Sequence, residues 1–189
     1  MADHRFDYEY TVSRATAAKI AGLTEKTLDS WTKAGLFANE GEGRGHARGY
    51  TLPMVFSLRI AATLAKILVP PRELVRLVNA RIPHVQALAN QKELRIVGYG
   101  YADPDKPVRL AVGTPGVHHQ GAYIAVDLPD AFAEVFSDFS WKVLEAADPA
   151  NAPAVACAVQ SYRDFLLSVV PRINFALARL EADGRRQAS

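Results

Sequence analysis

Glu25, Lys26, Thr27, Ser30 and Lys33 are the side chains of this sequence best suited to grip another molecule. Their spacing of three and four gathers them along the exposed side of a helix. Lysine donates to guanine O6 and N7, glutamate accepts from the cytosine amino group, and hydroxyls bond base edges or phosphate. A second group follows at Arg44, His46 and Arg48, interleaved with Gly41, Gly43, Gly45 and Gly49. Glycines let a backbone lie close to a surface, and arginines clamp phosphate or enter a narrow minor groove. Arg14 opens the preceding helical segment and is a further candidate for a phosphate. These residue types in this order predict contact with double-stranded DNA.

Other chemistries find less support. His118-His119 are adjacent on a loop, where neighbouring side chains diverge, and no Glu or Cys stands at a familiar ligand spacing. Gly113-Thr114-Pro115-Gly116 lacks the Lys-Ser/Thr of a phosphate-binding loop and reads as a turn. Ser57, Ser137 and Ser161 have no nucleophile-elbow glycines. The single cysteine, Cys157, excludes an internal disulfide and a multi-cysteine zinc site, and its apolar neighbours predict a buried, inert thiol. No catalytic residue, cofactor or metal is expected, and the chain reads as a protein other than an enzyme.

The elements that must position these residues follow from caps and periodicity. Residues 1–12 read as a short arm or edge strand. Ser13 caps a helix over 14–21, Gly22 supplies the left-handed turn, Thr24 caps a second helix over 25–34, and Gly35 stops it. Leu28 and Trp31 fall on the inner face of that second helix, with Ile20 and Leu23, so Trp31 is expected in the core. Leu36-Phe37 and Tyr50-Thr51 flank the glycine-rich stretch and predict a hairpin, or wing, with Tyr50 as its anchor. Pro53 opens a helix over 53–68. Two further helices are predicted to start at Pro71 and Pro83. Stretches 94–101, 108–112 and 122–126 read as three strands of a meander. A helix over 130–146 then carries Phe132, Val135, Phe136 and Phe139, and a last helix covers 155–181. Val159, Tyr162, Leu166, Val169, Ile173, Ala176 and Leu180 trace a heptad seam along it, either a dimer contact or the face laid on the sheet. Pro171 is expected to kink or end this helix.

The order of these pieces resembles the MerR-type winged helix-turn-helix transcriptional regulators over about residues 11–80. Ala17-Ala18-Lys19-Ile20-Ala21-Gly22-Leu23, Thr27-Leu28-Asp29-Ser30-Trp31 and Ala34-Gly35-Leu36 carry the likeness. Gly49-Tyr50-Thr51 and Pro53-Met54-Val55 continue it. The resemblance implies a recognition helix in the major groove, a wing on the backbone and a homodimer. The chain departs from the pattern twice. Asp29 stands where many members place a DNA-facing arginine, and Pro83 with the strands after 93 leaves no room for the usual long dimer helix.

Bulk properties agree with a soluble domain: 49% hydrophobic and 22% charged residues, without an apolar run long enough for a membrane. The opening Met-Ala-Asp-His-Arg-Phe-Asp lacks the apolar core of a signal peptide, so a cytoplasmic protein is expected. The net charge of +2 conceals an asymmetry: 14 Lys/Arg against 9 Asp/Glu through residue 95, then 8 against 11. The surplus lies in the half with the helix pair, where phosphate neutralisation needs it. The predicted class is therefore α+β, an N-terminal winged helix-turn-helix with a C-terminal small antiparallel sheet plus helices. The expected domains are 1–81 for DNA, 82–93 as a connecting helix, 94–182 for dimerisation or an effector, and a disordered 183–189. A sequence-specific regulator is the expected function, with RNA polymerase and a small-molecule effector left open as partners. The alternatives are a phage-type excisionase, packaging or other architectural DNA-binding protein, and a protein-interaction module.

Overall fold

Ser13 and Gly22 bound the first full helix. The computed structural model describes residues 6–37, 49–66, 75, 95–100, 109–113, 122–169 and 177–180. A helical turn α1 (Phe6–Glu9) and a short strand β1 (Thr11–Val12) lead into α2 (Arg14–Ala21). The Ser13 hydroxyl accepts from the Thr16 N–H at 3.2 Å, satisfying one of the orphan donors of the first turn. Gly22 takes a φ of +74°. The N–H groups of Gly22 and Leu23 donate to the carbonyls of Lys19 and Ala18 at 3.1 and 2.9 Å, which closes the helix. Thr24 then accepts from the Thr27 N–H at 3.1 Å and caps α3 (Glu25–Lys33). Beyond α3, Gly35 takes a φ of +100° and its N–H donates to the Thr32 carbonyl.

The core is built around α4 (Leu52–Ala65). Pro53 lies in its first turn, where a missing N–H costs nothing. Leu52, Val55, Leu58, Ile60, Ala61 and Leu64 are all fully buried. These positions point around the whole helix, so α4 needs neighbours on every side. α2 covers one side with Ala17, Ala18 and Ala21, whose small side chains permit close approach. The helix α5 (Leu128–Ala146) covers another. There Phe56 meets Phe132 edge to face at 5.0 Å, and Arg59 donates to Glu134 at 2.6 Å. The last long helix described, α6 (Ala152–Val169), packs on α5 and α1. Phe6 fills their junction, with ring centroids 6.1 Å from Phe136 and 5.3 Å from Tyr162. The N-terminal residues read as an arm thus supply a core aromatic. One apolar cluster runs from Phe6 to Leu177 and crosses the boundary expected near residues 82–93.

The expected α+β winged class is corrected. The described chain is mostly helical, and its N-terminal strands form no wing after the helix pair. Strand β2 (Tyr50–Thr51) pairs antiparallel with β1, Thr51 opposite Thr11 and Tyr50 opposite Val12. Leu36 and Phe37 sit instead in a turn, and Phe37 has a φ of +59°, a left-handed conformation that cannot extend a strand. Burial explains the choice of partner: Val12 and Tyr50 are both core residues, so β1–β2 pairing seals the core beside α4. Gly49 makes the pairing possible. A Cβ there would lie 2.6 Å from Thr11 Oγ1 and 2.7 Å from Thr11 Cβ.

Farther along, β3 (Arg95–Gly100), β4 (Arg109–Gly113) and β5 (Ala122–Asp127) form an antiparallel sheet in the order β4-β3-β5. All three lie where strands are expected, but β3 is central, which excludes a meander. Gly98 is opposite Leu110 on one side and Ile124 on the other. The helix seam is also reassigned. Tyr162 and Leu166 are buried within this chain, Tyr162 against Phe6 of α1 and Phe136 of α5. Cys157 is exposed, since the buried stripe of α6 runs through Val155, Tyr162 and Leu166 and leaves residue 157 off it. The helices expected from Pro71 and Pro83, the effect of Pro171, and the tail 183–189 lie outside the described residues.

Two stability predictions follow from these contacts. Gly49→Ala forces an overlap with Thr11 that no rotamer relieves. It is expected to cost about 1–3 kcal/mol, read as a lower urea midpoint at unchanged slope. Partial burial holds the Asp138 carboxyl above its ordinary value of 3.8, with Glu134 adding to the shift and Arg59, Lys142 and Lys19 opposing it. The ionised form is thus favoured less in the fold than in the unfolded chain, a penalty present at neutral pH and relieved by protonation. Asp138→Asn is expected to melt above the parent protein at pH 7, with the gap closing as pH falls through the raised folded value toward 3.8 and gone below it. An equal gap at all pH values contradicts this origin.

Candidate nucleic-acid interface

Helix α3 has two unlike sides. Leu28 and Trp31 are buried, at 0% and 5% exposure, and fasten it to the core that includes Ile20. Trp31 is accordingly a packing residue. Glu25, Lys26, Ser30 and Lys33 are exposed. Lys26, Ser30 and Lys33 follow one another at spacings of four and three, so they form a polar stripe on the outer side. Glu25 lies in the first turn, where a carboxylate complements the helix dipole. Thr27 is half-buried, and its hydroxyl lies 2.9 Å from that of Thr24, which engages it in the cap. The stripe therefore presents two ammonium groups and one hydroxyl from a rigidly backed helix.

Arg14 reaches this side from α2. Its Nη2 pairs with Asp29 Oδ1, a residue one turn beyond Lys26 and one turn before Lys33. Asp29, which the sequence places awkwardly for a DNA-facing helix, is thus neutralised by a neighbouring helix. The structure brings Arg14, Glu25, Lys26, Ser30 and Lys33 to one region through the two caps and the glycine turn. Sequence reasoning allowed Asp29 a cap or a salt bridge but did not name Arg14 as its partner; opposite charges one on each helix were the available signal. Arg44, His46 and Arg48 lie outside the described residues, as do His118 and His119.

The rest of the described surface carries less chemistry. No group of three or more His, Cys, Asp or Glu among the described residues is placed to hold a metal ion. No described helix is long and apolar enough to cross a membrane. The Phe-rich helix α5 spends Phe132 and Phe139 entirely on the core. A groove of about 370 Å³ does lie between α5, α6 and residues 177–180, with Phe136, Trp141, Leu144, Val159 and Leu180 among its walls. Trp141 is 67% exposed there. Comparison with models of protein families, with curated proteins and with solved structures finds no match for this chain.

The two sides of α3 separate folding from surface chemistry. Trp31→Ala is expected to lose about 3–5 kcal/mol of stability, as deletion of a buried aromatic does. Lys26→Ala is expected to stay within about 0.5 kcal/mol of the parent protein. Chemical denaturation of both variants measures the contrast, and a severe loss in Lys26→Ala would show that its side chain belongs to the packing.

Proposed function

We propose that this protein is a cytoplasmic, sequence-specific DNA-binding regulator of transcription that inserts α3 into the major groove. The observation that carries the reading is the exposed Lys26–Ser30–Lys33 stripe on a helix whose other side is fixed by Leu28 and Trp31. A helix held at both ends by caps and along one side by core residues is a rigid mount for base contacts. Lys26, near the N-terminal end of α3, is assigned to guanine. Glu25 beside it is assigned to cytosine, and Lys33 and Arg14 to phosphates. The positive surplus of residues 1–95 supports this placement. The resemblance to MerR-type regulators over residues 11–80 supports a role at promoters. It extends to the helix–turn–helix order and excludes the wing.

A single helix of this length contacts few bases, so two copies on related half-sites are proposed to supply useful affinity. Tyr162 and Leu166 of the α6 seam are buried within the chain, so the proposed pairing of copies does not use them.

The test is fluorescence anisotropy with duplexes recovered by selection from a random pool and with unselected duplexes. The parent protein is expected to prefer selected sites by at least about 10³-fold. Lys26→Ala is expected to lose about 1–3 kcal/mol on selected sites and much less on unselected ones. Equal losses on both would remove Lys26 from base recognition, and no measurable binding at low salt by folded protein would overturn the function.

A further inference from the structure

A carboxylate in the middle of a helix face meant for a polyanion should weaken binding. Asp29 occupies that place, between Lys26 and Lys33. Its Oδ1 pairs with Arg14 Nη2, and both side chains are 42% exposed. The Arg14 stem is covered: its Nε is buried and has no hydrogen-bond partner among the described residues. The side chain is therefore threaded from the first turn of α2 toward α3, with its charged end open to solvent. Guanidinium carries five N–H donors in a fixed fork, so one edge can rest on a carboxylate while another faces outward.

We propose that Asp29 is a positioning residue for DNA contact, holding the Arg14 guanidinium beside the α3 stripe so that its free edge meets a phosphate. The proposal rests on the DNA-binding reading above. Without Asp29, Arg14 has no anchor among the described residues and must be ordered by the DNA itself. The benefit of a prearranged Arg14 then exceeds the repulsion from one paired carboxylate. A purely repulsive Asp29 gives the opposite sign, which makes the two roles separable.

The experiment measures affinity for an unselected 30-base-pair duplex across a range of salt, for the parent protein, Asp29→Asn, Arg14→Ala and the double variant. Asp29→Asn is expected to weaken binding about two- to five-fold although it removes a negative charge, in line with the modest worth of an exposed ion pair. Arg14→Ala is expected to weaken binding and to lower the salt slope by about one unit, the signature of a lost phosphate contact. In the Arg14→Ala background, Asp29→Asn is expected to strengthen binding, because only repulsion is left. Three results overturn the proposal. They are tighter binding by Asp29→Asn alone, an unchanged salt slope in Arg14→Ala, and further weakening in the double variant. A merely structural clip between α2 and α3 gives the unchanged slope. A parent protein without affinity for the duplex at low salt sinks the DNA-binding reading and this one together. Tighter binding by Asp29→Asn sinks this one alone.

Discussion

The helix α4 cannot be left exposed on any side, and the other described helices are arranged to meet that demand. Its buried residues run from Leu52 to Leu64 with Arg59 as the main charged interruption. Arg59 is accommodated by leaving the helix sideways. It passes Gly22, where an added Cβ would stand 3.3 Å from its Nη1, and ends on Glu134 of α5. The glycine that turns the chain between α2 and α3 thus also gives room to the residue that ties α4 to α5. Burial of each large apolar side chain contributes about 1.5–3 kcal/mol, so enclosure of α4 outweighs any single surface contact. The edge-to-face contacts of Phe6 and Phe56 with α5 add about 0.5–1.5 kcal/mol each.

That enclosure decides what is left for function. α2 is spent on α4 through its alanines, and α5 and α6 are spent on α4, on α1 and on one another. α3 packs on α2 and keeps its outer side free. The free side carries Lys26, Ser30 and Lys33, and the ion pair from α2 adds the Arg14 guanidinium. On the proposed reading, these positive groups on a short, capped and anchored helix are what meets DNA.

Local signals were readable from the sequence wherever neighbours in the chain decide the structure. Ser13, Gly22, Thr24 and Gly35 place the ends of α2 and α3 to within a residue or so, because caps and left-handed turns are made by residues three or four apart. Pro53 and the strand-rich stretches after residue 93 were legible for the same reason. Apart from Cys157, which lies off the buried stripe of its own helix, the failures are long-range. Tyr50–Thr51 had two short candidates for pairing, and the choice of Thr11–Val12 depends on how Val12 and Tyr50 are buried beside α4. The central place of β3 is a matter of topology that alternation cannot reveal. Phe6, Phe136 and Tyr162 meet from distant parts of the chain, so periodicity on α6 alone did not show that Tyr162 packs against α1 and α5. At the candidate site, exposure of Glu25, Lys26, Ser30 and Lys33 was legible from helical periodicity, while the approach of Arg14 to Asp29 was not.

The central claim is that the free side of α3 reads DNA sequence. Its most direct test is capture of fragmented genomic DNA by the purified, folded protein at near-physiological salt, followed by sequencing of what is retained. The account predicts a few sharp peaks sharing an inverted repeat, as two copies of one recognition helix require. Retained DNA indistinguishable from the input pool would contradict it.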